Sequence, residues 1–192
     1  MAGGKSTRMG TDKAFLEVKG RSLLANALRR AEAAARNVVI VGAASKFSPF
    51  GTVIEDVYLD RGPLGGIHAA LTSSKTDLTF IFGVDMPFVE VRFLQYLISV
   101  AGISNAFVTV PFVGGRYEPL CAVYRKEFAT RAEGALKAGR NKIDALFAEI
   151  ALRVVNDEEM ADNGFFPSMF RNVNTPEDWD LAREELAVMN VL

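Results

Sequence analysis

Leu78-Thr-Phe-Ile-Phe-Gly-Val-Asp-Met-Pro87 is the stretch that decides the fold. Residues 78–82 form a short apolar run with no alternating polar face, which predicts a strand covered on both sides. The run stops at Gly83 and delivers Asp85 just beyond its carboxyl end. Upstream, Val38-Val-Ile-Val41 has the same character and follows a predicted helix over 21–36, whose Leu24, Leu28 and Ala31 share one face. Thr52-Val-Ile54 predicts another strand, ending at Glu55-Asp56. Asp60-Arg-Gly-Pro-Leu-Gly-Gly66 then turns into a helix with Pro63 at its first position. Downstream, helices are expected over 93–100, 127–137 and 143–150, and strands over 106–110, 120–124 and 152–155. Gly114-Gly115 marks a turn, so the strands at 106–110 and 120–124 are expected to pair antiparallel. Thr175-Pro-Glu-Asp178 reads as an N-cap, a first-turn proline and a third-position carboxylate opening a last helix with Trp179, Ala182 and Leu186 on one side. Apolar strands alternating with helices predict an α/β fold of three layers around a mostly parallel sheet, and residues 1–192 read as a single domain.

Composition narrows the function. The chain has 192 residues, 23% of them charged, and a net charge of −1, which gives no electrostatic case for nucleic-acid binding. The single cysteine, Cys121, excludes an intrachain disulfide and suits a reducing compartment; within Leu120-Cys-Ala-Val-Tyr124 it reads as a small buried hydrophobe. No apolar run approaches the length of a bilayer span and no signal peptide is visible, so a cytoplasmic protein with no membrane partner is expected.

The first fourteen residues, Met1-Ala-Gly-Gly-Lys-Ser-Thr-Arg-Met-Gly-Thr-Asp-Lys-Ala14, interleave glycines with Lys5, Arg8 and Lys13. Glycine permits close backbone approach, successive N–H groups form an anion-binding concavity, and the cations offset a polyanion. Gly4-Lys5-Ser6 copies the end of a P-loop, but the glycine such a loop needs five positions earlier is not in this sequence. This segment, Glu55-Asp56, Asp85 and Asn172-Val-Asn-Thr-Pro176 all fall where strands end. Ligands of open parallel sheets bind outside those ends, so the four are expected to converge on one crevice.

Within that crevice Asp85 is the candidate ligand for Mg²⁺, which takes one or two carboxylates plus substrate phosphates. Asp56 reads either as a partner for a base edge or sugar or as a solvated turn carboxylate. Asn172 and Asn174 read as contacts to a second substrate or as capping groups. His68, the only histidine, is expected in the first turns of a helix with no catalytic role.

The order Ala2-Gly-Gly-Lys-Ser-Thr-Arg-Met-Gly10 with Asp12-Lys13, then Val53-Ile-Glu-Asp56, Gly62-Pro-Leu-Gly-Gly66, Val84-Asp-Met-Pro87, Glu118-Pro-Leu120 and Asn172-Val-Asn-Thr-Pro176, resembles the molybdenum cofactor guanylyltransferases. The first loop and Asp85 are shared with the wider nucleotidyltransferase group, of which the cytidylyltransferases are the nearest competitors. The resemblance implies a Rossmann-like nucleotidyltransferase topology and transfer of GMP from GTP to the phosphate of molybdenum-bearing molybdopterin, releasing pyrophosphate. It further implies that Met1, Ala2, Gly3 and Gly4 present backbone to GTP, that Arg8 and Lys13 act on the triphosphate, and that Asp85 binds Mg²⁺. Asp56 would contact the nucleoside, and Asn172 and Asn174 the pterin. Other cofactor-assembly proteins and apo-molybdoenzymes are possible partners. The alternatives are a relative using CTP or a sugar phosphate, or a non-catalytic nucleotide-binding partner. Family members carry an apolar strand ahead of Ala-Gly-Gly where this sequence has only Met1, so the first strand is expected to be truncated and its neighbours left with unpaired edges.

Overall fold

The computed structural model describes residues 1–2 and 12–188. The strands are β1 (Glu17–Val18), β2 (Arg21–Ser22), β3 (Ile40–Val41), β4 (Val53–Ile54), β5 (Leu78–Phe82), β6 (Val108–Val113), β7 (Arg116–Tyr117), β8 (Cys121–Arg125) and β9 (Leu152–Asn156). The helices are α1 (Leu23–Ala34), α2 (Ala44–Phe47), α3 (Pro63–Ser73), α4 (Val91–Ile103), α5 (Phe128–Lys137), α6 (Ile143–Phe147), α7 (Asp157–Asp162) and α8 (Pro176–Val188).

The main sheet runs β5-β8-β6, with β9 on the far side of β6. β8 is antiparallel to both β5 and β6, while β6 and β9 are parallel, so β5, β6 and β9 point one way and β8 the other. The sheet is thus mixed, and the expected antiparallel pairing of the two segments around Gly114-Gly115 is observed. Those glycines have φ of 55° and 81° and join β6 to β7. Both central residues of a tight hairpin turn need positive φ, which explains the pair. Lys19 and Gly20, with φ of 51° and 71°, do the same between β1 and β2, a hairpin the sequence reading did not anticipate.

Strand residues alternate between two helical layers, as the period of two requires. On one side Ile81, Ala122, Tyr124, Val108 and Val110 pack with Leu64, Ile67 and Leu71 of α3 and Phe128, Ala132 and Leu136 of α5. On the other, Phe82, Cys121, Val123 and Val155 pack with Phe93, Leu94 and Leu97 of α4. Cys121 is fully buried there and burial pushes its thiol pKa up, which matches the expected role of a small hydrophobe. A third cluster joins Leu23 and Leu24 of α1 to Val84, Phe88, Val173 and the α8 residues Trp179, Ala182 and Leu186.

β3 and β4 pair parallel but form their own two-stranded unit, and among the described residues Met1–Ala2 hydrogen-bonds it to the main sheet. The Met1 amine donates to the Phe82 carbonyl (2.7 Å) and its carbonyl accepts from Val84 N–H (3.1 Å). Ala2 N–H donates to the Val41 carbonyl (2.9 Å). Two residues therefore pair as a strand with both neighbours. Alongside them lies a slot of about 590 Å³, walled by β3 and β5 and by Leu24, Ala27, Leu28 and Ala31 of α1, with Ala70 of α3 also lining it. Among the described residues the slot leaves the facing edges of β3 and β5 without a strand partner beyond Met1–Ala2. It also explains why Leu28 and Ala31, expected on the buried face of α1, are only half-buried, and why β3 is shorter than the 38–41 run: β4 pairs with only two of its residues. Among the described residues no helix is long and apolar enough to cross a membrane.

Candidate active site

Asp85 stands three residues beyond Phe82, the last paired residue of β5, on a segment fixed from three directions. Gly83 N–H donates to the Leu120 carbonyl (2.7 Å), Val173 N–H donates to the Asp85 carbonyl (2.9 Å), and the Arg30 guanidinium of α1 donates to the Pro87 carbonyl. Arg30 is 7% exposed, and burial lowers its pKa to about 10. Backbone ties of this kind hold a carboxylate more precisely than a free loop would. Gly83 leaves room for the carboxylate, because a Cβ there would lie 2.6 Å from Asp85 Oδ1 and 3.5 Å from Leu120 Cβ.

Lys13 meets Asp85 across 72 residues of sequence. Its Nζ donates to Asp85 Oδ2 at 2.7 Å and to Asn174 Oδ1 at 3.3 Å. Asp12 sets Lys13 in place by capping a short 3₁₀ turn: its Oδ1 accepts from Ala14 N–H (3.2 Å), while Oδ2 pairs with Lys46 at 3.0 Å. Asn174 is set by the start of α8, where Asp178 Oδ2 accepts from the N–H groups of Asn174 and Thr175, both at 2.9 Å. Thr175 Oγ1 in turn accepts from Asp178 N–H at 3.1 Å. Thr175 is the N-cap expected from Thr175-Pro-Glu-Asp178, and the return bonds to Asp178 make the cap reciprocal; they lower the Asp178 pKa, chiefly through the bond from Asn174. The side-chain oxygen of Asn172 is buried without a hydrogen-bond partner among the described residues.

Asp56 lies beside Met1 at the first turn of α3. A Cβ on Gly66 would collide with the Met1 side chain and stand 3.3 Å from Asp56 Oδ1; one on Gly65 would stand 2.9 Å from the Tyr58 carbonyl and 3.5 Å from Asp56 Oδ2. Gly62, with φ of 63°, makes the bend before Pro63, which begins the helix as expected. Burial raises the Asp56 pKa. Burial lowers the pKa of the Met1 amine to about 6, outweighing the opposing attraction of Asp85.

Of the residues singled out from sequence, Lys13, Asp85 and Asn174 are brought into direct contact, and Met1, Ala2 and Asp56 line the same edge of the sheet. Gly3, Gly4 and Arg8 lie outside the described residues. Glu118, which the sequence offers only within the Glu118-Pro-Leu120 motif, has its carboxyl pushed up by burial, held back by Arg116 and raised by nearby Asp85, so it borders the site. Its position after the β6–β7 hairpin could not be read from local pattern. His68 falls within α3 and is buried, with Nε2 3.4 Å from Thr72 Oγ1 and Tyr58 edge-on to its ring. Among the described residues no group of three or more His, Cys, Asp or Glu forms a metal cluster.

A lysine, a carboxylate and an amide therefore converge beyond the strand ends of a three-layer α/β fold. The 2-C-methyl-D-erythritol 4-phosphate cytidylyltransferase of Thermus thermophilus shares that fold, with a TM-score of 0.70 over 95% of this chain and 96% of that one at 20% identity. Residues 1–154 match the model of the MobA-like NTP transferase domain, and the chain belongs to that family. It is 31% identical over 190 residues to a molybdenum cofactor guanylyltransferase of Syntrophotalea carbinolica, covering 96% of this chain and 89% of the relative. A probable molybdenum cofactor guanylyltransferase of Natranaerobius thermophilus is 32% identical, with 97% and 94% covered. The crystal structure of molybdopterin-guanine dinucleotide biosynthesis protein A from Archaeoglobus fulgidus superposes with a TM-score of 0.85 at 26% identity, over 98% of this chain and 97% of that one.

Proposed function

We propose that this nucleotidyltransferase transfers GMP from GTP to the terminal phosphate of molybdopterin carrying molybdenum, forming molybdopterin guanine dinucleotide and pyrophosphate. The observation that carries the reading is the meeting of Lys13, Asp85 and Asn174 at one point, since it joins the loop read as phosphate-binding, the carboxylate and the segment assigned to the second substrate. The names of the guanylyltransferase relatives support the choice of GTP and molybdopterin.

In this reading an oxygen of the acceptor phosphate attacks the α-phosphorus of GTP. A new P–O bond forms, the bond to the β-phosphate oxygen breaks, and pyrophosphate leaves with the electron pair. No protein nucleophile takes part; the chain supplies position and charge. Arg8 and Lys13 hold the triphosphate and offset the charge that builds on the leaving group. Met1, Ala2, Gly3 and Gly4 present backbone to the nucleotide, and Asp56 pairs with the nucleoside. Asn172 and Asn174 face the pterin, and the unpaired Asn172 Oδ1 is an acceptor suited to an N–H donor. Asp85 suits Mg²⁺, because Oδ2 is a hard oxygen donor that already engages a cation and substrate phosphates complete such a shell. Mg²⁺ bound there would neutralise phosphate charge as the α–β bond breaks. A cytoplasmic location belongs to the same proposal, supported by the free thiol of Cys121.

The test is pyrophosphate release with Mg²⁺ and molybdenum-loaded molybdopterin, comparing GTP, CTP and ATP. GTP is expected to be preferred, because a site built to hydrogen-bond guanine leaves its own groups unpaired with another base. Comparable or faster turnover of CTP would assign the chain to the cytidylyltransferase branch.

A further inference from the structure

The ion pair between Lys13 and Asp85 occupies the position that a metal at Asp85 would need. Asp85 Oδ1 lies over Gly83, and Oδ2 is the oxygen that accepts from Lys13 Nζ at 2.7 Å. The two side chains are only 20% and 17% exposed, so water screens the contact weakly, and Asn174 Oδ1 gives the ammonium a second acceptor at 3.3 Å. A divalent ion taking Oδ2 must first displace the ammonium, or it would sit beside a positive charge in a poorly screened site. A polyphosphate changes the balance. It offers the lysine replacement oxygens of higher negative charge, frees Oδ2, and brings metal ligands of its own.

We propose that Lys13 is a placeholder for the metal at Asp85, so that a divalent cation enters this site only together with a polyphosphate that draws the lysine away. The inference rests on the reading of Asp85 as the metal ligand and adds to it an order of events: nucleotide and metal bind as a coupled pair. By linkage the metal strengthens polyphosphate binding by the same factor that polyphosphate strengthens metal binding.

The test is Mn²⁺ binding to the full chain, followed by loss of the free-ion electron paramagnetic resonance signal, with no turnover involved. Wild type, Lys13→Gln and Asp85→Asn are each titrated alone and with a GTP analogue carrying a methylene bridge between the α- and β-phosphorus atoms. Wild type is expected to bind Mn²⁺ weakly alone and strongly with the analogue. Lys13→Gln is expected to bind Mn²⁺ alone about tenfold or more tightly than wild type, since removing one partner leaves an uncompensated carboxylate. Equal Mn²⁺ affinity of wild type and Lys13→Gln, with circular dichroism showing both folded, overturns the placeholder; Lys13→Met serves if the glutamine variant does not fold. Wild type binding Mn²⁺ as tightly alone as with the analogue overturns it whatever the variants do. Asp85→Asn binding Mn²⁺ with the analogue as well as wild type is a different failure, because it removes the metal from Asp85 altogether.

Discussion

Asp85 faces Lys13 through a single oxygen, Oδ2. Asp85→Asn keeps the shape of the side chain but removes the charge that faces Lys13, so transfer activity is expected to vanish while the melting temperature stays within a few degrees of wild type; turnover at the wild-type rate would refute the assignment. Gly83→Ala tests position rather than charge. The new methyl would meet Oδ1 at 2.6 Å, and the flexible carboxylate, not the backbone, is what gives way. A displacement on the order of an ångström at a reacting centre costs on the order of a hundredfold in rate, so activity should fall far more than stability, as a thermal melt beside an initial-rate assay would show. Alanine at Lys13 or Arg8 is expected to weaken GTP more than guanosine in equilibrium binding, because guanosine offers no phosphate.

Elements act by holding the segments between them. α1 contributes Arg30, whose guanidinium reaches the Pro87 carbonyl from a buried position. Arg30→Met fills similar space without the donor and leaves that carbonyl unpaired, at a cost of about 1–3 kcal/mol in denaturant unfolding. Because Pro87 follows Asp85 by two residues, kcat is expected to fall as well, whereas a purely structural loss would leave it unchanged in the folded fraction. The capped start of α8 is legible in the sequence: Thr175, Pro176 and Asp178 occupy the positions their chemistry demands, and Trp179, Ala182 and Leu186 are buried. The two hairpins were less legible. Gly114-Gly115 announced one, but Lys19-Gly20 did not announce the other, because a lysine at positive φ is selected by the strands it joins and not by its own preference.

At the scale of the molecule the unusual feature is the slot between β3 and β5. By the alternation of a ladder, Phe80 and Leu78 turn their backbone groups the same way as Phe82, toward that slot and away from β8. An extension of about six apolar residues, a typical strand length, fused ahead of Met1 is expected to raise both melting temperature and GTP affinity, and a Gly-Ser extension of equal length neither; if the apolar extension gains neither, the slot is no strand position. The buried amine gives a pH signature. Its pKa is about 6 when folded against an ordinary value of 8.0, so the unfolded chain binds more protons between those values. The amine's contribution to stability is therefore full above pH 8, declines as the pH falls, and is lost below pH 6, a difference of about 2–3 kcal/mol. Urea titrations at pH 5.5 and 8.5 should show this for the chain with its free Met1 amine and not for an extended chain, where an amide replaces it. What the sequence by itself determined is everything carried by local periodicity and capping: the α/β class, the strand Leu78–Phe82 to the residue, Pro63 opening α3, and the reciprocal cap of α8. Only the tertiary structure decided that β8 runs against its neighbours and that Lys13 closes on Asp85 and Asn174. Strand direction and contacts spanning 72 and 161 residues follow from how layers pack, and no short window of sequence encodes them.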